Sequence, residues 1–198
     1  QVRTDNFKAW FGDWENDPAN ASKVVDENGE PLVVYHGTKA DFNEFDINEA
    51  GSNNDTGMWG TGFYFSPIKK MSRGYGDKLK KVYLSLQNPL IIEGGNGNVP
   101  KGLMRGLTIT THGTEGKLFS DTFRERLLDA GYDGVLHYSS TDKGFKLAQI
   151  VAFNPDQIKS AIDNTGEFNP TNPDIRFSRK EQKPRSATLD NFIAKAIA

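Results

Sequence analysis

The amino-acid sequence predicts an α+β fold. Three observations lead there. Short apolar runs bounded by Gly, Asn, Asp and Pro recur along the chain. Few helical patterns separate them. Those helices do not alternate with the strands as βαβ units require. With 198 residues, 36% of them hydrophobic, the chain can bury one core, so one globular domain with appended ends is expected.

Phe7, Trp10, Phe11 and Trp14 fall at helical spacing after Thr4 or Asp5 as cap, which predicts a helix over 4–15 whose aromatic face packs on the core. A loop over 16–22 follows. Asn28-Gly29 then predicts a hairpin turn between strands 23–26 and 31–36, and the run Leu32-Val33-Val34-Tyr35 reads as a central strand buried on both faces. Residues 37–62 form a long Gly/Asn/Asp-rich loop, and Phe63–Phe65 a short strand. Ser66-Pro67 predicts a helix N-terminus, with the helix ending near Gly74 or Gly76. Strands are expected at 81–86 and 89–92. Residues 93–118 carry no clear pattern.

A helix capped by Ser120 or Asp121 should run to Ala130, with Phe123, Leu127 and Leu128 inward and Gly131 ending it. Strands at 132–138 and 147–153 flank a turn at 139–144. Asn154-Pro155 predicts a last short helix through Ala161. The division expected is a domain over 1–162, with residues 1–22 packed on it, and a tail over 163–198. That tail reads as extended or disordered, with a helix at 189–197.

Composition excludes several function classes. The chain has 24 basic and 26 acidic residues, for a net charge of -2, so nothing global points to nucleic acid or a membrane surface. Without cysteine there is no disulfide, Cys-ligated zinc or thiol nucleophile, which fits a reducing cytosol. No apolar run approaches the roughly 18–20 residues of a membrane span, and no signal-peptide core stands near the start. The first residue is Gln1 rather than Met, so the chain reads as a piece of a longer polypeptide or a trimmed product. No His/Asp/Glu spacing suggests a metal site.

Three constellations carry chemistry. Tyr35-His36-Gly37-Thr38 puts an imidazole and a bare backbone at one strand edge, where a flat ligand can approach the main chain. A strand-end histidine is equally a structural residue. Gly60-Thr61-Gly62-Phe63-Tyr64-Phe65-Ser66-Pro67 is an aromatic strand with a Gly-rich entry, as many core strands are. Ser72 and Tyr75 stand three apart and would share a face of the following helix. Tyr64 and Tyr75 can then sandwich a flat heteroaromatic cation, a contact of about 1–2 kcal/mol, while Ser72 donates to its carboxamide.

Taken together, these motifs resemble the nicotinamide pocket of the diphtheria-toxin and poly(ADP-ribose) polymerase class of ADP-ribosyltransferases. More closely, the stretch from Thr4 to Ser178 resembles the ADP-ribosyltransferase-like domains of phage and mobile-element polyvalent proteins, including the segments 154–161 and 169–178. The resemblance implies a split, mostly antiparallel two-sheet core with short helices and NAD+ as co-substrate in the cleft, with no metal. His36 would bond the nicotinamide-ribose hydroxyl and Gly37 the carboxamide through its main chain. Tyr64 and Tyr75 would stack on the ring, Ser72 would hold the amide, and Thr38 would stand at the pocket edge.

The family's third signature position is a Glu at the start of a late strand, and Gln149 occupies it here. A carboxylate there holds the ribose, stabilises charge as nicotinamide leaves and can take a proton from the acceptor. Gln can bond the ribose but cannot act as a base. An active enzyme with an unusual acceptor, a weak NAD+ hydrolase and an NAD+-binding remnant all fit. Glu115, Glu125 and Glu167 are acids that could supply the missing role. The other toxin-like class, which uses a Glu-x-Glu turn, is disfavoured because none occurs.

The basic run Lys69, Lys70, Arg73, Lys78, Lys80 and Lys81 could draw a pyrophosphate or a nucleic-acid acceptor, or form a solvated face. The sequence thus predicts an ADP-ribosyltransferase with His36, Tyr64 and Gln149 as catalytic residues. Its acceptor would be a protein or nucleic acid, with no membrane partner. The chain would form part of a larger phage or mobile-element polypeptide in the host bacterial cytoplasm, delivered with or attached to the phage particle. The rival readings are a catalytically weak or dead NAD+- or ADP-ribose-binding module and an NAD+ glycohydrolase.

Overall fold

Two small sheets stacked face to face organise the chain. They are seen in a computed structural model that describes residues 1–51, 56–95 and 98–176. The first sheet has the order β1-β3-β7, formed by β1 (Val34–Thr38), β3 (Lys78–Leu84) and β7 (Ile158–Ser160). The second has the order β2-β6-β5-β4, formed by β2 (Phe63–Phe65), β6 (Gly144–Ala152), β5 (Gly134–Thr141) and β4 (Leu90–Glu93). Every pairing is antiparallel except β4 with β5, whose connection carries α3 (Lys101–Met104) and α4 (Gly113–Asp129). The α+β class and the split, mostly antiparallel core are therefore as the sequence predicts.

Strand alternation builds the layers. Val34, Val82, Leu84 and Ile158 of the first sheet meet Phe63, Phe65, Leu136, Ile150 and Ala152 of the second. Val135, Val151, Leu90 and Ile92 point the other way, onto Phe119, Phe123 and Leu127 of α4. The outer face of the first sheet is covered by α1 (Asp5–Phe11) through Phe7, Trp10 and Phe11, with Tyr83 and Phe168 beside them. Thr4 caps α1 by accepting the Phe7 N–H at 3.3 Å, and Gly12 at φ 95° ends it four residues before the expected end at 15. Trp14 is buried all the same.

Several expected elements are replaced, each because tertiary partners outbid local signals. The Asn28-Gly29 turn forms, held by Asp26 Oδ1 accepting from the Asn28 and Glu30 amides, but only a single Val25–Pro31 bridge follows it. The strand begins later, at Val34, and lies at the edge of its sheet rather than in the centre. The helix expected from Pro67 shrinks to one turn, α2 (Lys69–Ser72), because Ser66 pairs with Tyr35 through both backbone groups, at 2.9 and 3.0 Å. Strand β3 starts at Lys78 rather than Lys81, and the β5–β6 hairpin runs through the expected 139–144 turn to Thr141 and Gly144.

Helix α4 starts well before Ser120 and Asp121. Those caps-in-waiting serve tertiary contacts instead: Ser120 Oγ donates to Thr56 O at 2.5 Å and to Gly57 O, and Asp121 Oδ1 accepts from Thr61 Oγ1 at 2.5 Å. Phe123 and Leu127 are buried, but Leu128 is exposed and Phe119 takes its place inside. The expected helix over 155–161 is a 3-10 turn, Pro155–Gln157, running straight into β7. Ile158, Lys159 and Ser160 are all buried against β3, and a strand satisfies their backbone there.

Residues 163–176 form no helix, but a Glu44–Asp174 bridge and backbone bonds from Ser160 to Ile175 and from Ile175 to Asn43 tie them down, and Phe168 and Ile175 are buried. Lys159 holds this segment. It is fully buried, and its Nζ donates to Asn172 O at 2.5 Å. The terminal helix expected at 189–197 lies outside the described residues. No helix among the described residues is long and apolar enough to cross a membrane.

Burial pushes the Lys159 amine down to about 8, against the attraction of Asp156 and Asp174. The folded state thus favours the neutral amine, and folding releases a proton between pH 8 and the ordinary lysine value. Stability should therefore rise with pH through that window. Denaturant titrations of wild type and Lys159→Met should diverge there by on the order of 2 kcal/mol, wild type gaining as pH rises.

Candidate active site

Beside their open edge the two sheets are joined by the Tyr35–Ser66 bridge. Beyond it β1 and β2 diverge and leave a cavity of about 790 Å³. That size is typical of a small-molecule site. His36, Gly37, Thr38, Tyr64, Ser72, Tyr75 and Gln149 all line it, so the structure gathers the residues singled out in the sequence around one space.

His36 spans the split. Its Nδ1 lies 2.8 Å from Tyr64 O. A carbonyl only accepts, so Nδ1 carries the proton and the neutral ring keeps Nε2 as an acceptor. Burial pushes the imidazole below its ordinary range. The Tyr64 bond works against that shift and nearby Lys80 adds to it. Phe45, Phe65 and Phe42 surround the ring at centroid distances of 5.0, 5.5 and 6.1 Å.

Tyr64 lines the cavity with its ring while its hydroxyl secures the loop before it. That hydroxyl donates to Gly60 O at 2.8 Å and accepts the Trp59 N–H at 3.0 Å. Gly57, at φ 89°, leaves the room: a Cβ there would sit 2.3 Å from the Tyr64 hydroxyl.

Glycine at position 37 serves a purpose the sequence did not reveal. A Cβ there would lie 1.7 Å from Ser72 O, so the space a side chain would take is filled by α2, while Gly37 still lines the cavity. Gly76 makes a second close approach, 2.2 Å from the Thr38 carbonyl carbon by the same measure. Ser72 is buried, and its Oγ donates to Tyr35 O at 2.8 Å. Its hydroxyl proton is directed to that carbonyl, which leaves the oxygen's lone pairs toward other partners. Tyr75 follows α2 in a turn instead of sharing a helical face with Ser72, and half of its surface is exposed at the rim. Thr38 Oγ1 accepts the Ala40 N–H at 3.1 Å.

Gln149 sits in β6 opposite His137, while Tyr138 pairs with Leu147, so Ala148 is an extra residue. Such bulges re-aim side chains next to functional sites. Glu115, Glu125 and Glu167 do not line the cavity, whereas Glu44, Asp46 and Glu49 do. Sequence reading missed these three, along with Phe42, Phe45 and Thr111, because the loop that carries most of them has no period. Of the basic run none lines the cavity, although Lys39 does. Lys80 and Lys78 lie 3.3 and 3.9 Å from Asp41, and Lys69 stands over the Tyr35 ring at 5.2 Å. Among the described residues no cluster of His, Asp and Glu is arranged to hold a metal ion.

The sequence has a counterpart among known families. The family described as ADP-ribosyltransferase in polyvalent proteins matches residues 26–168. The chain belongs to that family. Every residue lining the cavity falls within the matched part of this ADP-ribosyltransferase domain. Among solved structures, the crystal structure of an anti-CRISPR protein is similar at 11% identity and a TM-score of 0.36, over 64% of this chain and 91% of its own, a likeness too low to carry argument. No curated protein matches the chain.

Gly37→Ala should drive α2 off β1 and cost more than about 2 kcal/mol, within the range for overpacking a close contact. Gly102→Ala meets no atom within 4 Å and should leave the melting temperature unchanged or raised. Thermal unfolding of the two variants side by side checks the contrast.

Proposed function

We propose that this domain cleaves the nicotinamide–ribose bond of NAD+ and transfers ADP-ribose to a macromolecular acceptor, a protein or a nucleic acid. The observation that carries this reading is the His36–Tyr64 pair across the split, which supplies an imidazole acceptor and a tyrosine ring to one cavity. His36 Nε2 would accept from the nicotinamide ribose. Gly37 would meet the carboxamide through its main chain, and Ser72 Oγ would accept from the carboxamide N–H. Tyr64 and Tyr75 would face the pyridinium ring, and Thr38 would stand at the edge. Gln149 would accept from the ribose as the bond lengthens and positive charge develops. The leaving group is already cationic, so no metal is required by the chemistry.

Gln149 favours a second reading. Without a carboxylate at that position, transfer to a weak nucleophile lacks a base, and hydrolysis of NAD+ or binding without turnover becomes the competing outcome. In either case the domain would work as part of a larger phage or mobile-element polypeptide, in the cytoplasm of the bacterial host.

Incubation with NAD+ labelled in both halves separates these readings. Nicotinamide release with label transfer supports a transferase, release without transfer a hydrolase, and saturable binding without release a binding module. His36→Ala and Tyr64→Ala should each lower release by about 10²-fold or more, and Gln149→Glu should raise transfer. Because burial depresses the His36 imidazole, its acceptor form should persist as pH falls through 6.5, the ordinary histidine value. NAD+ affinity should therefore fall only at lower pH, in step with the His36 ring titration followed by NMR.

A further inference from the structure

His137 and Gln149 face each other across β5 and β6. Residues so paired share a face, with Cβ atoms about 5 Å apart. The face is the one marked by Val135, Val151 and Tyr64. Trp59 also lies over it, its ring 4.8 Å from the His137 ring. Gln149 reaches the cavity from this face, while His137 stands behind it and does not.

The tautomer of His137 is fixed by its other partner. Nε2 lies 2.7 Å from Gly94 O, so Nε2 carries the proton and the neutral ring offers Nδ1 as an acceptor. Nδ1 is buried and bonded by no group among the described residues. Buried acceptors are costly to leave unmade. Trp59 Nε1 is also buried, but it makes no hydrogen bond to Nδ1 although the two rings lie 4.8 Å apart. Directly across the ladder stands the Gln149 amide, with two N–H donors and one acceptor oxygen.

We propose that His137 is a positioning residue for Gln149. Its Nδ1 accepts from the Gln149 amide, which turns the amide oxygen toward the cavity. The inference rests on the proposed function, in which that oxygen accepts from the nicotinamide ribose. An unanchored glutamine presents either its oxygen or its NH2, and only the oxygen can replace a carboxylate. A glutamate has acceptors at both ends and needs no such anchor. The Ala148 bulge supplies the local freedom for the amide to swing onto the imidazole.

A double-mutant cycle on the full chain, read by nicotinamide release from NAD+, tests this. His137→Leu should lower kcat about tenfold with KM for NAD+ little changed, and His137→Asn, which keeps an acceptor near the Nδ1 position, should restore most of it. In the Gln149→Glu background His137→Leu should cost less than about twofold. Equal losses in both backgrounds would mean that His137 acts only through folding, and would overturn the proposal. Ring-15N NMR of the unliganded protein gives a second readout. Nδ1 of His137 should show the shift of a hydrogen-bonded acceptor in the native chain and of an unbonded one in Gln149→Leu. An Nδ1 shift unchanged between the two would refute the pairing. If the native chain neither binds nor cleaves NAD+, the proposed function has failed, and the NMR comparison still decides whether residues 137 and 149 are coupled.

Discussion

The hydrogen bond from His36 to Tyr64 O is the constraint on which the site depends. Here β1 and β2 meet at Tyr35 and Ser66 before they part. The imidazole crosses the gap just past that bridge, so it sets the width of the split, its own tautomer and the position of the Tyr64 backbone at once. Aromatic rings from Phe42, Phe45 and Phe65 exclude water around it. A low-dielectric setting strengthens the bond and keeps the ring neutral.

Around this crossing the cavity walls are held by contacts between backbones. Ser72 O lies where a Cβ of residue 37 would be, and Thr38 lies where one of residue 76 would be. A single turn of helix has little stability of its own, and these approaches with the Ser72–Tyr35 bond fix it to the strand. The opposite wall, residues 56–60, is held by Ser120 of α4 below and the Tyr64 hydroxyl above. The walls also differ in charge, with Glu44, Asp46 and Glu49 on one stretch of the lining and Lys39 on another.

Much of the architecture was legible in the sequence. Strands at 63–65 and near 90 and 150 follow from apolar runs with strong boundaries. The aromatic face of α1 follows from its spacing. The site residues could be picked because their order and spacing resemble a known family's, although each local pattern, such as His36 before Gly37, is weak alone. Less legible were Ile158–Ser160, which read as a helix after Asn154-Pro155, and Ser120 with Asp121, which read as caps. In each case a polar or backbone group found a partner far along the chain, and local propensity lost to it.

By itself the sequence determined the α+β class and the order of most elements. These depend on hydrophobic period and on turn chemistry, which are local. Tertiary structure alone decided that β1 is an edge strand and that Gly37 accommodates a helix. It also decided that Ser72 spends its proton on Tyr35, and that His137 stands behind Gln149 with an unused lone pair. Those facts concern which groups meet across large separations in the chain, and no local pattern encodes them.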